Sequence, residues 1–343
     1  MNHIPVIRRL TRAALLPVFS AAILLSSASA IAWDATGHRV SAGLAWDRLS
    51  ETQREQLLTL LSAHPRFDED FRGAMPAPVR QASTAEQQRW LFGQAAVWPD
   101  VARGLPDSIV DRYNRPDWHW IDGALVRGQA QRQGNIYLGV ARRPDITGAD
   151  ARAADNVLGA LERAWRELQA TDTPETERAL ALSWFLHLTA DLHQPLHSGA
   201  LFAPGPLQDG DRGGNSIRVA QGHEGNNLHA LWDRALHSPE PEGRLQRLRR
   251  QRETMAPDID TTWAPTRWLA ESRDLLHEQV YPPALRTTIE QRISRDQNVP
   301  VFDPSVGYLT TMQRTARQQV IRAAERMAAA LADLETGQGI PER

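Results

Sequence analysis

The sequence predicts an all-α protein. Eight segments carry apolar residues at three- and four-residue spacing, runs of β-branched residues are few, and capping residues stand ahead of several segments. In chain order, residues 51–63 follow Ser50-Glu51 and residues 84–98 follow Ser83-Thr84, a capping hydroxyl each time. Residues 152–170 and 176–193 come next, the latter after Thr173-Pro174, where proline suits a first helical turn. Residues 227–237, 242–254, 266–278 and 308–335 complete the set. Only Trp118 to Val126 with Asn135 to Val140, and Asn215 to Val219, read as short strands, forming one or two hairpins. Ser198 to Gly214, rich in Gly, Pro and Asp, reads as a long surface loop whose Asp209 and Asp211 are free to cover a cleft. No repeat or composition shift divides residues 33–343, which read as one domain.

Composition narrows the chemistry. The chain has 343 residues, 41% hydrophobic and 23% charged, with a formal net charge of −2. Residues 1–32 hold Arg8, Arg9 and Arg12 and no acid, so the remainder carries −5, which excludes a nucleic-acid module that works by bulk positive charge. Cysteine is absent, which excludes disulfides, thiolate metal sites and a cysteine nucleophile. All 39 basic residues are arginine, which excludes a lysine Schiff base and a phosphate-loop lysine.

Residues 1–32 read as a secretory signal peptide: a basic start, an apolar run from Ala14 to Leu25 broken once by Pro17, and small residues from Ala28 to Ala32. The apolar run falls short of the roughly 20 residues that span a bilayer. Cuts after Ala30 and after Ala32 both fit, and the second makes Trp33 the new N-terminus. The expectation is an exported protein, periplasmic or secreted, without a membrane anchor and held together by packing or by metal.

His187 and Asp191 are four residues apart, as are His229 and Asp233, so each pair shares one face of a helix. A single such pair is as easily a surface ion pair. Trp184, Phe185, Leu186 and Leu188 surround the first pair with apolar residues, and a buried acid needs a partner, for which a cation is the obvious choice. Pro195 disfavours a helical Gln194 and so bends the chain after this helix, which brings His197 within reach of the same place. His64, His193, His223, His237 and His277 read as surface or core histidines, and Trp46, Trp90, Trp165, Trp263 and Trp268 as core.

The run from His187 to His197 (HLTADLHQPLH), NLHALWD at 227–233, WPD at 98–100 with Arg103, WHWID at 118–122 and WDATGH at 33–38 together resemble the zinc-dependent single-strand-specific nucleases of the S-one/P-one type, in order and spacing, across most of residues 33–343. That resemblance implies a mostly helical, phospholipase C-like fold with three Zn²⁺ per chain. It assigns Asp100, His119, His187 and Asp191 to a first zinc, and His197, His229 and Asp233 to a second. His38, a bridging Asp191, and the amine and carbonyl of Trp33 go to a third. It further implies that Asp100 orients or deprotonates the attacking water, that Arg103 neutralises charge developing on phosphorus, and that Trp120 and Asp122 hold a base by stacking and by accepting from its edge. The implied partners are single-stranded DNA and RNA and 3′-nucleotides, the products are 5′-phosphorylated, and the chain acts as a monomer with no protein partner. A zinc phospholipase C and a non-enzymatic zinc-binding protein are the competing readings. Asp233 and the short spacing from Trp33 to His38 weigh against the first, and Arg103 with a base platform against the second.

Overall fold

The computed structural model describes residues 33–122, 134–139, 156–295 and 297–334. Twelve α-helices lie among the described residues: α1 (Ala35–Arg48), α2 (Glu51–Ser62), α3 (Ala77–Arg80), α4 (Thr84–Val101), α5 (Asp107–Tyr113), α6 (Val157–Gln169), α7 (Glu175–Leu192), α8 (Leu228–Asp233), α9 (Pro241–Met255), α10 (Pro265–Leu275), α11 (Pro283–Ile293) and α12 (Val306–Asp333). The fold is all-α, as the periodicity predicts. The expected signal peptide at residues 1–32 lies outside the described residues, as do 152–155 of one expected helix, residue 335 of another, and 123–126 and 140 of the expected strands.

The capping signals do what their chemistry requires. Ser50 and Ser83 each accept from a backbone N–H three residues on, while Gln53 and Glu86 reach back to the Ser50 and Ser83 N–H groups. The helix read as ending at Trp98 runs on to Val101 through Pro99, so Asp100 projects from the last turn of α4. Helix α7 is the hub: it packs against α1, α2, α4, α6, α10 and α12 and is buried along most of its length. One cluster of buried apolar side chains extends from Trp33 to Leu331. Trp46, Trp165 and Trp268 lie inside it, and Trp90 and Trp263 are half-buried. No helix among the described residues is long and apolar enough to cross a membrane.

Four expectations are corrected. Helices α1, α3, α5 and α11 are additions to the expected set. α1 is buried on most sides and so lacks the polar stripe that makes a helical period visible. The strand expected from Trp118 starts instead in a 3₁₀ turn, Pro116–His119. No regular hairpin forms among the described residues: β1 (Ile136–Tyr137) pairs in parallel with β2 (Leu201–Phe202), and the Asn215–Val219 segment makes only single bridges, Arg218 with Asn227 and Val219 with Phe302. Segment 198–214 is no surface loop, because Ala200, Leu201, Ala203, Leu207 and Asp211 are fully buried. Asp211 accepts from the Leu201 N–H at 2.9 Å and from the Tyr281 hydroxyl, which ties it down rather than leaving it free to cover a cleft.

Candidate metal centre

Five segments deliver histidine and aspartate side chains to one place. His38 projects from α1, Asp100 from the end of α4, His119 from the 3₁₀ turn at Pro116–His119, and His187 and Asp191 from α7. His197 follows α7 directly, in the 3₁₀ turn Pro195–His197, and His229 and Asp233 lie on α8. Gln194 is extended (φ −91°, ψ 114°), as a residue before proline should be, and this bend turns His197 back toward the helix it has just left. Three groups each bring one donor atom per residue to within 4.8 Å of the others: His38, Asp100 and His187; His119, His187 and Asp191; and His197, His229 and Asp233.

Asp191 stands between two of these groups. One carboxylate oxygen, Oδ2, lies 3.1 Å from His119 Nδ1 and 3.1 Å from His187 Nε2. The other, Oδ1, faces His38 Nε2 at 3.4 Å. His38 and His187 stack with ring centroids 4.0 Å apart. Donor atoms around one tetrahedral zinc stand about 3.3 Å apart if each is about 2.0–2.1 Å from the ion, so these separations match a shared cation.

Backbone carbonyls set the imidazoles. His187 Nδ1 meets the Ala96 carbonyl at 2.8 Å and His229 Nδ1 the Gly213 carbonyl at 2.6 Å, while His197 Nδ1 meets the His119 carbonyl. A carbonyl can only accept, so Nδ1 of each ring carries a proton and Nε2 is the nitrogen free to ligate. At His187, burial opposes protonation but Asp191 and Asp100 outweigh it and raise the pKa. The Ile121 N–H donates to the His197 carbonyl at 2.9 Å, so the 119–121 and 197 segments lock each other.

The side chains fit a cation. Nε2 of His119, His197 and His229, both ring nitrogens of His38 and Oδ1 of Asp191 are buried without a hydrogen-bond partner. Such atoms each cost about 1–3 kcal/mol unless something satisfies them. Burial pushes His38 well below the usual imidazole range, and takes His119 and His229 to about 3, leaving neutral donors. Burial also opposes ionisation of Asp191, but His187 and His119 outweigh it and hold the carboxyl well below its ordinary value. Asp233 goes the other way: burial raises it well above, with the Gln194 hydrogen bond only partly compensating. Asp100 is raised by burial despite His187 and Arg103, whose Nη2 lies 3.0 Å from Asp100 Oδ1.

Two contributors escape sequence reading. Gln194 is fully buried and donates from Nε2 to Asp233 Oδ1 at 2.7 Å, while its own Oε1 accepts from the Leu196 N–H at 2.7 Å. Gly213 has φ +59°, and a Cβ there would lie 2.5 Å from the Leu196 carbonyl oxygen, so only glycine presents this carbonyl to His229. Proline after Gln194 and the Gly213-Gly214 pair are the available signals.

Trp33 is buried, its indole N–H donating to the Ala190 carbonyl at 3.1 Å, and the Asp34 N–H donates to the Asp233 carbonyl at 3.1 Å. Residue 33 is thereby pinned between the two helices that carry Asp191 and Asp233. Gly37 permits this, since a Cβ there would lie 2.6 Å from Trp33 Cβ. Trp120 is 44% exposed, which places the ring in solvent rather than in the core. Asp122 is half-buried, its carboxyl pushed up to about 6 by burial and by Asp211, against the pull of Arg273. A cleft of about 880 Å³ opens on the centre, lined by Asp34, Asp100, His229, Asp233, Arg234 and His237 among others.

The chain is 42% identical over 173 residues to Endonuclease 3 of Arabidopsis thaliana, spanning 50% of this chain and 49% of that protein. It is also 43% identical over 56 residues to Endonuclease 5 of the same plant, 16% of each chain. It thus spans about half the length of the first relative and less of the second. The family described as S1/P1 Nuclease matches residues 33–335. That span takes in every segment of the centre described above, and the chain belongs to the S1/P1 nuclease family.

Proposed function

We propose that this protein is an exported, zinc-dependent endonuclease that hydrolyses phosphodiester bonds of single-stranded DNA and RNA to 5′-phosphorylated products, with 3′-nucleotidase activity. The observation that carries the reading is the two-sided Asp191 carboxylate, facing His38 through one oxygen and His119 with His187 through the other. Asp100, His119, His187 and Asp191 would hold one zinc, His197, His229 and Asp233 a second, and His38, Asp191 and the main chain of Trp33 a third. Bound zinc supplies Lewis acidity toward the phosphate and a water acidified toward a pKa of about 7. Six positive charges against three carboxylates give a net attraction for a phosphodiester in an otherwise acidic chain.

The chain's own groups do the rest. Asp100, which lines the cleft, orients the attacking water and takes its proton. Arg103, already beside Asp100, is within reach of a phosphoryl oxygen and neutralises its developing charge. The exposed Trp120 ring offers a stacking face for an unpaired base, and Asp122 accepts from that base's edge when ionised. A stacked duplex base has no free face, which favours single strands.

Cleavage after Ala32 would free the Trp33 amine, and its own carbonyl would close a five-membered chelate with it. The pinned backbone around Trp33 supports that reading. The test is to assay protein beginning at Trp33, zinc-loaded, on single-stranded DNA, RNA, 3′-mononucleotides and phosphatidylcholine. Hydrolysis of the first three alone is expected; cleavage of phosphatidylcholine alone would make the protein a phospholipase, and no hydrolysis with full zinc would make it a metal-binding protein.

A further inference from the structure

Helix α9 carries its arginines in two different situations. Arg249 lies 2.6 Å from Asp47, and Arg252 lies 3.2 Å from Glu253 and 3.7 Å from Glu325, so the face toward α1 and α12 is charge-matched. Arg244 and Arg247, three residues apart on the same helix, form no ion pair within 4.0 Å among the described residues, and Arg317 of the neighbouring α12 forms none there either. From Val306 to Ala324, α12 contains no acid at all. α9 and α12 pack against each other and both run along α1, where Arg48 and Arg252 meet Glu325 at 3.0 and 3.7 Å, and Arg244 and Arg317 each stand eight residues before that meeting point on their helices. Burial, Arg247 and Arg317 lower the Arg244 pKa, with Asp34 opposing. Three guanidinium groups held together against their own repulsion are a poor solvated surface and a good anion site.

Arg244 also reaches toward the cleft of the candidate centre through His237, which lines it. Arg244 Nη2 donates to the His237 carbonyl at 3.2 Å. His237 pairs with Asp34 through Nδ1 at 2.7 Å, and both residues line the cleft together with Arg234, Asp100 and Asp233. Arg234 is exposed and has no ion pair among the described residues, so a positive path runs from the cleft wall toward α9.

We propose that Arg244, Arg247 and Arg317 bind the backbone phosphates of a single-stranded nucleic acid as the strand leaves the cleft past His237. This rests on the nuclease reading and extends it: the centre acts on one phosphodiester, and the arginine trio holds phosphates further along the same strand. The site is electrostatic and reads no base, so it discriminates by strand length. It also accounts for strand binding by a chain whose net charge is negative, because local charge near the path decides the encounter.

The experiment compares wild type with the triple variant Arg244→Gln, Arg247→Gln, Arg317→Gln, each zinc-loaded, on a long single-stranded oligonucleotide and on a dinucleotide across a salt series. For the triple variant, KM on the long strand should rise on the order of tenfold at low salt. The slope of log KM against log salt should flatten by roughly 2, since each single-strand phosphate neutralised by an arginine accounts for about 0.7. Turnover of the dinucleotide should stay at the wild-type value. The corresponding Arg→Lys triple variant should keep the wild-type slope. An unchanged slope for the glutamine variant overturns the proposal, as does loss of pelleting with phosphatidylserine vesicles while the oligonucleotide slope is retained, which would assign the trio to a membrane surface. If the triple variant does not fold, the single exposed change Arg247→Gln should flatten the slope by about 0.7, and no flattening there overturns the proposal equally. Should wild type cleave neither substrate, the nuclease reading fails by itself, and the salt slope of oligonucleotide binding still decides the fate of the trio.

Discussion

His187 with Asp191 and His229 with Asp233 are the same motif at the same four-residue spacing, yet the fold makes different things of them. The first pair lies on the 18-residue α7, the hub of the molecule, and Asp191 meets imidazoles on both of its oxygens. The second lies on the six-residue α8, and Asp233 offers only Oδ2 to His229, at 3.3 Å, because Oδ1 is taken by Gln194. Both carboxylates are buried, but one is held far below its ordinary pKa and the other far above. Burial alone therefore does not set the state of a carboxylate here; the number of imidazoles around it does. On the proposed reading, a carboxylate with imidazoles on both sides would bridge two metals, and one with a single free oxygen would serve as a terminal ligand.

The comparison breaks first at the bridge. Asp191→Asn should remove more than one equivalent of bound zinc by elemental analysis and lower single-strand cleavage by more than about 100-fold, beyond what loss of a supporting group costs. Asp233→Asn should remove no more than one equivalent, and equal losses in the two variants would contradict the distinction. Gln194→Leu sharpens it further: with Oδ1 of Asp233 released, affinity for one zinc should fall about 10–100-fold in a competition titration while the remaining sites fill normally.

Trp120→Ala tests a region outside both pairs. Binding of single-stranded oligonucleotides should weaken by about 1–3 kcal/mol with zinc content unchanged, since a stacked base is lost and no ligand is. A drop in melting temperature with affinity intact would make the ring structural instead.

The smallest effect concerns Asp211, a third fully buried carboxyl, which burial raises to about 6 even though Tyr281 and Leu201 donate to it. Between an unfolded value near 3.8 and a folded value near 6, the folded chain keeps a proton that the unfolded chain has lost, so stability falls as pH rises through that window. Asp211→Asn should flatten that fall, narrowing the difference in melting temperature between pH 4 and pH 6.5 by about 2–4 °C relative to wild type.

Much of this is legible in the sequence, and for a physical reason. Amphipathic helices announce themselves by period, and the two His–Asp pairs stand out by their four-residue spacing, whereas His38, Asp100 and His119 are singled out only by the family resemblance; the structure brings all of them together. What stays hidden acts through neutral or main-chain groups. Gln194 works by one amide hydrogen bond, and Gly213 by a carbonyl that any residue possesses but only glycine can present at φ +59°. α1 is hidden because small residues such as Gly37, Ser41, Ala42 and Gly43 let it bury nearly every face, which erases its period. The β1–β2 pair joins two-residue strands some 65 positions apart, too short and too distant for a pattern to reveal.

The most direct test of the bridge is a crystal structure of the zinc-loaded protein, beginning at Trp33, with anomalous data collected at the zinc edge. Two separate peaks are expected at Asp191, each about 2.0–2.2 Å from a different carboxylate oxygen, one beside His38 and the other beside His119 and His187. A single peak at Asp191, with His38 turned away from any metal, would contradict the account.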